Sequence, residues 1–339
     1  MQISPLWSAN QVNPLSRPVF GRISFQNNNS DSFKRSATPD PTALLINSYT
    51  QGVLHKHFVN DIFRHDPELG HIAWQIFIKR AFESTLNNSQ ASSLNRTSLA
   101  THSNIFDQVG QYLDEQPHLK MRLEQSNLKW HEGRTKALSR QILDSLEPVI
   151  SGLPRANDFY YIDLGCGEAH VTKAVAAGLN LLPSQVLPLE IDSNSTSRYQ
   201  QQEWEIATYD GKQIPKEFAK ADLITLLSVL HHTENDQAAQ QLLTQVYQQL
   251  KPGGIAVIRE IDASSDLEIL YARVRHSILQ KIAKSTSPNM PRDQVYHSKG
   301  EWKTIVKDVG FQVISDVTDE SMKSNNLCGS FNLVLKKPL

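Results

Sequence analysis

Two glycines close a short apolar segment, and an acidic residue lies just before them. The segment, residues 161–170, has the sequence YIDLGCGEAH. Glycine has no Cβ atom, so a Gly-x-Gly turn lets the backbone approach a ligand closely. A helix predicted after the turn presents its N-terminal N–H groups on the same side. The carboxylate of Asp163 favours a ligand that carries positive charge.

A dinucleotide-binding turn is the main alternative for these glycines. That fingerprint is Gly-x-Gly-x-x-Gly, and His170 stands at the third glycine position. An acidic side chain two residues before the first glycine also fits poorly beside a pyrophosphate. The pattern therefore disfavours an NAD(P)-dependent oxidoreductase and favours a ligand with a cationic group, such as the ammonium of a methionine moiety.

Candidate proton acceptors follow two later apolar runs. His231 and His232 come directly after ADLITLLSVL, and Glu260 lies near the end of GIAVIREID. Folds built from parallel strands bind ligands at the carboxyl ends of those strands. Adjacent histidines do not both point inward in the same way, so we expect one of the pair at a helix start or at the surface. For Glu260, an ion pair with Arg259 or a neighbouring lysine is the alternative to a catalytic role.

These residues belong to a region in which apolar runs alternate with helical patterns. The predicted strands are FYYIDLG, QVLPLEID, WEIATYDG, ADLITLLSVL and GIAVIREID, and residues 170–182 and 238–250 are predicted helices. Such alternation indicates a parallel sheet with helices on both faces. The last two runs, GFQVISDVTDE and GSFNLVLKK, have no helix between them, so they predict an antiparallel hairpin.

The preceding part of the chain has a different pattern. Residues 1–40 are polar and punctuated by proline, which predicts a disordered tail. Residues 41–129 carry apolar side chains at helical spacing, which predicts a helical cap or substrate-binding region. Helical patterning continues from Trp130 to Leu146. We place the start of the last predicted domain, residues 130–339, at Trp130.

The ordered set of motifs resembles the class I S-adenosylmethionine-dependent methyltransferases. IDLGCGEAHVTKAVA resembles the first motif of that family, and three later strand ends match in order and spacing. The resemblance implies a Rossmann-like, mostly parallel seven-stranded α/β sheet with an antiparallel last strand, preceded by an all-helical N-terminal region. Ala169 stands where the family often has a third glycine. The implied cofactor-binding residues are Asp163, Gly165, Cys166, Gly167, Glu190, Asp192, Asp210, Gly211 and Ser228.

Two of these residues compete for one role. In the family an acidic residue at the end of the second strand holds both ribose hydroxyls of the cofactor, and both Glu190 and Asp192 stand there. Alternating strand residues share a face, so the spacing leaves both open; alignment of the motif favours Glu190. Asp210 resembles the acid that accepts from the adenine amino group, and Cys166 is expected to serve as a small turn residue rather than as a nucleophile.

The resemblance implies methyl transfer from S-adenosyl-L-methionine by direct displacement to an oxygen or nitrogen, and no metal site is predicted. His231, His232 and Glu260 are the candidate catalytic residues. The fourth strand lacks the Asn/Asp-Pro-Pro-Tyr box, and Ser228 stands near the place of an aspartate found in ribose 2′-O-methyltransferases. A small-molecule acceptor is therefore favoured, while an RNA-cap or protein acceptor and an inactive cofactor-binding protein that recruits a partner stay open.

Composition bears on partners and location. The 339 residues contain 34 basic and 35 acidic side chains, which argues against a protein that coats nucleic acid. Basic stretches at residues 118–140 and 271–284 predict either a positive rim that attracts an anionic acceptor or two solvated helix faces. Two cysteines, the lack of a long apolar run and the lack of a visible leader favour a cytoplasmic protein without a membrane span.

Overall fold

A computed structural model describes most of the predicted catalytic region. The described residues are 67–74, 114–115, 117–150, 158–191, 204–211, 213–215, 219–264, 268–269, 295–319 and 328–339, with Gly52, Lys56, Val59, Ala272 and His276 as single positions. The predicted tail, residues 1–40, and most of the predicted helical region 41–129 lie outside the described residues. The domain boundaries therefore stay predictions.

Seven strands form one sheet within the described residues. They are β1 Tyr161–Leu164, β2 Val186–Glu190, β3 Ala207–Thr208, β4 Ala221–Leu227, β5 Leu250–Asp262, β6 Gln312–Thr318 and β7 Gly329–Lys336. Their order is β3-β2-β1-β4-β5-β7-β6. The first five strands pair in parallel, and β7 is antiparallel to both β5 and β6. The predicted Rossmann-like sheet with an antiparallel last strand is confirmed.

The helices differ from the predicted segments mainly at their ends. They are α1 Pro67–Ala73, α2 Pro117–Ile150, α3 His170–Gly178, α4 Asp236–Gln249 and α5 Lys299–Val309, with short 3-10 turns at Pro183–Gln185 and Leu230–His232. Helix α2 begins earlier than predicted and passes without a break through residue 130. Helix α3 ends four residues early, because Asn180 adopts a left-handed conformation and Pro183 starts a new turn. Among the described helices, none has the length and apolar character to cross a membrane.

Strand alternation assigns side chains to two faces of the sheet. On one face Val257 of β5 packs with Leu146 of α2, and on the other Ile258 packs with Trp302 of α5. Because successive strand residues point to opposite faces, odd-numbered residues of β1 and β5 face α2 and α3, and even-numbered residues of β5 face α4 and α5. Asp163 therefore lies on the first face, whereas Glu260 lies on the second.

A buried guanidinium joins helix α2 to the antiparallel strands. Arg259 of β5 donates to Asp319 Oδ2 at 3.1 Å and to Ser330 Oγ at 2.8 Å. It also donates to Asn332 Oδ1 and to Gln141 Oε1 of α2, both at 3.1 Å. Planar guanidinium groups suit such multiple contacts, and these satisfy the charge inside the protein.

Removing the acidic partner tests this junction. Asp319→Ala is expected to lower the free energy of unfolding by about 3 kcal/mol, because a buried charge is left without its counter-ion. Asp316→Ala is the matched control on the same segment; that carboxylate is partly exposed and pairs with Lys303 and Lys299, so its loss is expected to cost about 1 kcal/mol or less. Urea denaturation measures both, and equal losses would contradict the assignment.

Candidate functional site

The turn after β1 has space on one side only. Gly165 and Gly167 adopt positive φ angles of 69° and 55°, and the backbone N–H of Gly165 donates to Leu189 O at 2.8 Å. A Cβ atom at Gly165 would lie 2.6 Å from a methyl carbon of Val229, whereas one at Gly167 would meet nothing within 4 Å. Residues that carry a side chain rarely adopt positive φ angles, whereas glycine adopts them readily. The side of Gly167 on which a side chain would stand is therefore open, and this open space beside the turn is the groove.

Glu190 ends β2 and contacts this turn directly. Its Oε2 accepts from the Gly167 N–H at 2.6 Å, and its Oε1 accepts from the Ile191 N–H at 2.7 Å. Asp192, the alternative residue at this strand end, lies outside the described residues.

Asp210 and Gly211 follow β3 at the same edge of the sheet. Asp210 is exposed, and its Oδ1 accepts from the Gln213 N–H at 2.7 Å. Gly211 has a φ of 75°, and a Cβ atom there would lie 3.1 Å from a side-chain carbon of Ile191. The predicted residues of the second and third strand ends thus lie on adjacent strands.

Asp163 is buried beneath the glycine turn, with 2% of its surface exposed. Its two oxygens accept hydrogen bonds of 2.5 Å from the hydroxyls of Thr172 in α3 and Thr225 in β4. Burial raises the pKa of Asp163 to about 6, the charge of Glu190 adds to the rise, and the two hydroxyl bonds oppose it. The threonines were not predicted; Thr172 lies in the first turn of the helix predicted after the glycines, whereas Thr225 meets Asp163 through the register of β1 against β4.

Cys166 and Ser228 border the groove in different ways. Burial raises the pKa of the Cys166 thiol, as do the charges of Asp163 and Glu190. The thiol therefore stays protonated, which suits a turn residue and not a nucleophile. Ser228 has a positive φ of 66° at the end of β4, and its Oγ accepts from Arg134 Nη2 at 3.4 Å.

Arg134 comes from the predicted basic stretch of helix α2. In the same stretch Arg122 pairs with Glu68 and Arg140 pairs with Asp144, each at 3.9 Å, and Lys136 is exposed. The side chains of Lys120 and Lys129, and the basic residues of the 271–284 stretch, lie outside the described residues. Arg134 is thus the residue through which the described part of the stretch reaches the predicted site.

The side chain of Glu260 fixes the backbone of the turn that follows β4. It is 1% exposed, and its Oε1 accepts from the N–H groups of Val229 at 3.0 Å and Leu230 at 2.7 Å. Its Oε2 contacts His231 Nδ1 at 2.6 Å. The alternative in which Glu260 pairs with Arg259 is wrong, because alternation turns Arg259 to the opposite face, toward α2.

Two further rings lie against His231. The ring centroid of His232 is 4.3 Å away, and that of His276 is 5.2 Å from His231 and 4.6 Å from His232. Burial, followed by the two neighbouring histidines, lowers the pKa of His232 well below its usual value. Both histidines lie in the 3-10 turn Leu230–His232, in which His231 is buried and His232 is partly exposed. The sequence did not indicate His276.

Comparisons with known proteins find similar methyltransferases. Residues 125–316 match the sequence family described as "Methyltransferase domain". The ubiquinone biosynthesis O-methyltransferase of Rickettsia canadensis (strain McKiel) is 23% identical over 198 residues, which are 57% of this chain and 82% of that protein. An S-adenosylmethionine-dependent methyltransferase structure from Clostridium acetobutylicum ATCC 824 is 12% identical with a TM-score of 0.43, covering 63% of this chain and 99% of that one. One from Methanosarcina mazei is 16% identical with a TM-score of 0.40, covering 54% and 94%.

The family match spans more than half of the chain. The protein therefore belongs to the methyltransferase domain family and is a class I S-adenosylmethionine-dependent methyltransferase. Its cofactor is S-adenosyl-L-methionine. Membership counts against the alternatives of an NAD(P) oxidoreductase and of an inactive binding protein.

The buried charge of Asp163 leads to a prediction about stability. A folded-state pKa of about 6 lies above the unfolded value of about 3.9, so the folded chain holds this proton more tightly. The group's contribution to stability is therefore greatest below about pH 4 and is lost as the pH rises to about 6. Asp163→Asn removes the charge and is expected to raise the free energy of unfolding by about 2 kcal/mol at pH 8 and by much less at pH 4.5.

Asp222→Asn is the matched control. Asp222 is also buried, but it pairs with Lys251 Nζ at 2.7 Å and accepts from the Tyr160 N–H at 2.8 Å. Neutralising it removes a partner from a cation, so this substitution is expected to destabilise the protein at pH 8. Chemical denaturation at the two pH values measures both, and a destabilising Asp163→Asn at pH 8 would contradict the prediction.

Proposed function

We propose that the protein transfers the methyl group of S-adenosylmethionine to an oxygen or nitrogen of a small-molecule acceptor, with His231 as proton acceptor. The observation that carries this proposal is the 2.6 Å contact between His231 Nδ1 and the buried carboxylate of Glu260. Both groups stand at the carboxyl ends of β4 and β5, the edge where such sheets bind ligands. The groove beside the glycine turn after β1 opens at this same edge.

The groove fits the cofactor by charge and by shape. S-adenosylmethionine supplies an electrophilic methyl group on a sulfonium, and its methionine part carries an ammonium. Asp163 and Glu190 are two buried carboxylates beside the turn, and a nearby cation reduces the cost of keeping both ionised. The open side of Gly167 leaves room for the ligand against the backbone.

Roles for the remaining residues follow from their positions. Glu190, at the end of β2 and beside the glycine turn, is assigned to the ribose hydroxyls, with Asp192 as the alternative residue at that strand end. The exposed Asp210, beside Gly211, is positioned to accept from the adenine amino group. Gly165, Cys166 and Ser228 are assigned to the backbone around the groove, where Gly165 and Ser228 have positive φ angles.

The acceptor side is organised around the histidine and its carboxylate. With Glu260 ionised, the hydrogen bond keeps the proton of His231 on Nδ1 and leaves a lone pair on Nε2. That lone pair can take a proton from an acceptor hydroxyl or amine as the carbon–oxygen or carbon–nitrogen bond forms. His232, which is partly exposed beside it, contacts the acceptor.

Charge at the rim favours an anionic acceptor. Arg134 of helix α2 donates to Ser228. Its guanidinium therefore lies close to the histidine turn, the 3-10 turn Leu230–His232. The Rickettsia relative is an O-methyltransferase in ubiquinone biosynthesis, which supports an oxygen as the methylated atom. The free thiols of Cys166 and Cys328 suit a reducing compartment such as the cytoplasm.

Cofactor binding tests the first half of the proposal. Glu190→Ala is expected to weaken S-adenosylhomocysteine binding by about 1.5–3 kcal/mol, because it removes charge-assisted hydrogen bonds. Asp192→Ala is the matched control at the same strand end and is expected to weaken binding less. Isothermal titration calorimetry measures both, and a larger loss for Asp192→Ala would assign the ribose to Asp192 instead.

Glu260→Gln tests the second half. The glutamine oxygen can still accept from the Val229 and Leu230 N–H groups, but its amide group donates to His231 Nδ1 and forces the proton onto Nε2. We expect kcat to fall about 100-fold or more, as for loss of a general base, with unchanged affinity for S-adenosylhomocysteine. Glu301→Gln, an exposed helix cap, is the control and is expected to leave kcat unchanged.

A labelled-methyl screen identifies the acceptor class. Phenols, carboxylates and amines form the small-molecule panel, and capped RNA and protein extract form the alternative arms. Arg134→Ala is expected to raise KM for an anionic acceptor, and more at low salt than at high salt, because salt screens exposed charges. Methylation of RNA or protein without any small-molecule product would overturn the proposed acceptor class.

A further inference from the structure

The rings of His231, His232 and His276 form a cluster, and the proposed methyl transfer gives no role to His276. One nitrogen from each ring can be chosen so that all three lie within 4.8 Å of one another. Imidazole nitrogen is a ligand that zinc and other divalent transition metals prefer. We infer that these three histidines form a binding site for a divalent transition metal ion of the zinc type.

The hydrogen bonds around His231 leave the correct atom for a metal. Glu260 contacts Nδ1 at 2.6 Å, so Nε2 is the ring nitrogen that this carboxylate leaves for a metal ion. Metal-bound histidines almost always donate their second nitrogen to a carboxylate or carbonyl, which fixes the ring and raises its basicity. Glu260 already provides that support, and its position is itself fixed by the N–H groups of Val229 and Leu230.

His232 provides an independent observation. Its Nδ1 is buried and has no hydrogen-bond partner among the residues that the structure describes. A buried polar atom without a hydrogen-bond partner destabilises the folded protein. In a folded protein such an atom indicates that a ligand, an ion or a water molecule binds there. A metal ion bound between the three rings would provide the partner that this nitrogen lacks.

The spacing is close to that of a loaded site. Nitrogens bound to a tetrahedral zinc ion at about 2.0–2.1 Å lie about 3.3 Å from one another. The cluster therefore has to contract by about 1.5 Å, a distance that small side-chain rotations cover. Three protein ligands leave one tetrahedral position for water or for an oxygen of the acceptor, the arrangement of open rather than structural zinc sites.

The inference does not rest on the proposed function, although metal binding and proton transfer both use His231 Nε2. A metal ion and the proton of the acceptor compete for the same lone pair on His231 Nε2. Metal binding is therefore measured without an acceptor, on full-length protein that has been stripped with a chelator and then supplied with zinc. His276, which has no role in the proposed proton transfer, is the residue whose substitution separates the two ideas.

The experiment measures zinc affinity and stoichiometry by competition with a chromogenic chelator. We expect one tightly bound zinc ion per chain and binding at least about tenfold weaker in His276→Ala. Glu260→Gln is expected to weaken binding about 10- to 100-fold, as for other residues that support a metal-bound histidine. His118→Ala, at an exposed histidine of α2, is the control and is expected to bind zinc as the unaltered chain does.

Two further measurements keep the result interpretable. Unchanged S-adenosylhomocysteine affinity in His276→Ala shows that the variant is folded. X-ray absorption of the zinc-loaded unaltered protein is expected to show three nitrogens at about 2.0–2.1 Å, and needs no variant. An all-oxygen shell, or equal zinc affinity in His276→Ala and the unaltered chain, would overturn the inference whatever the methyl-transfer assays show.

Discussion

One buried carboxylate connects the two halves of the site. Glu260 lies almost fully buried at the end of β5, and it is acceptable there because two backbone N–H groups and one imidazole satisfy it. The N–H groups belong to Val229 and Leu230, and the side chain of Val229 closes the space beside Gly165. Glu260 therefore fixes both Val229, which lies beside the cofactor groove, and the ring of His231. Removal of the whole Glu260 side chain would therefore affect both, whereas glutamine keeps the acceptor for the Val229 and Leu230 N–H groups.

The fold was accessible from the sequence because its signals are local and periodic. Apolar runs alternating with helical patterns predicted the parallel sheet, and the missing helix before the last run predicted the antiparallel β7. The motif around Asp163 predicted a turn in which glycine is required, and Gly165 and Gly167 have positive φ there. Element ends were less accessible: β3, an edge strand that pairs only with β2, has two residues where a longer run was predicted.

The contacts that define the chemistry were mostly out of reach. Thr225 and Asp163 lie on different strands, and only the register of β1 against β4 brings their side chains together. His276 reaches the histidine turn from a distant part of the chain, and no spacing rule connects it to His231. Arg134 lay in a basic stretch for which a solvated helix face was an equally simple explanation. Such pairings depend on how helices dock, which composition and periodicity leave undetermined.

The burial of Asp163 also has a consequence for how this protein can change over generations. An ionised carboxylate in that position opposes folding at neutral pH, so random substitution and selection for heat resistance alone would replace it. Its retention requires a second pressure, and a bound cation in the groove provides one. Laboratory lineages propagated without the cofactor should accumulate neutral residues at position 163 early, and lineages kept under selection for methyl transfer should not. The loss of stability caused by Asp163 is thus a constraint that binding of the ligand places on the sequence.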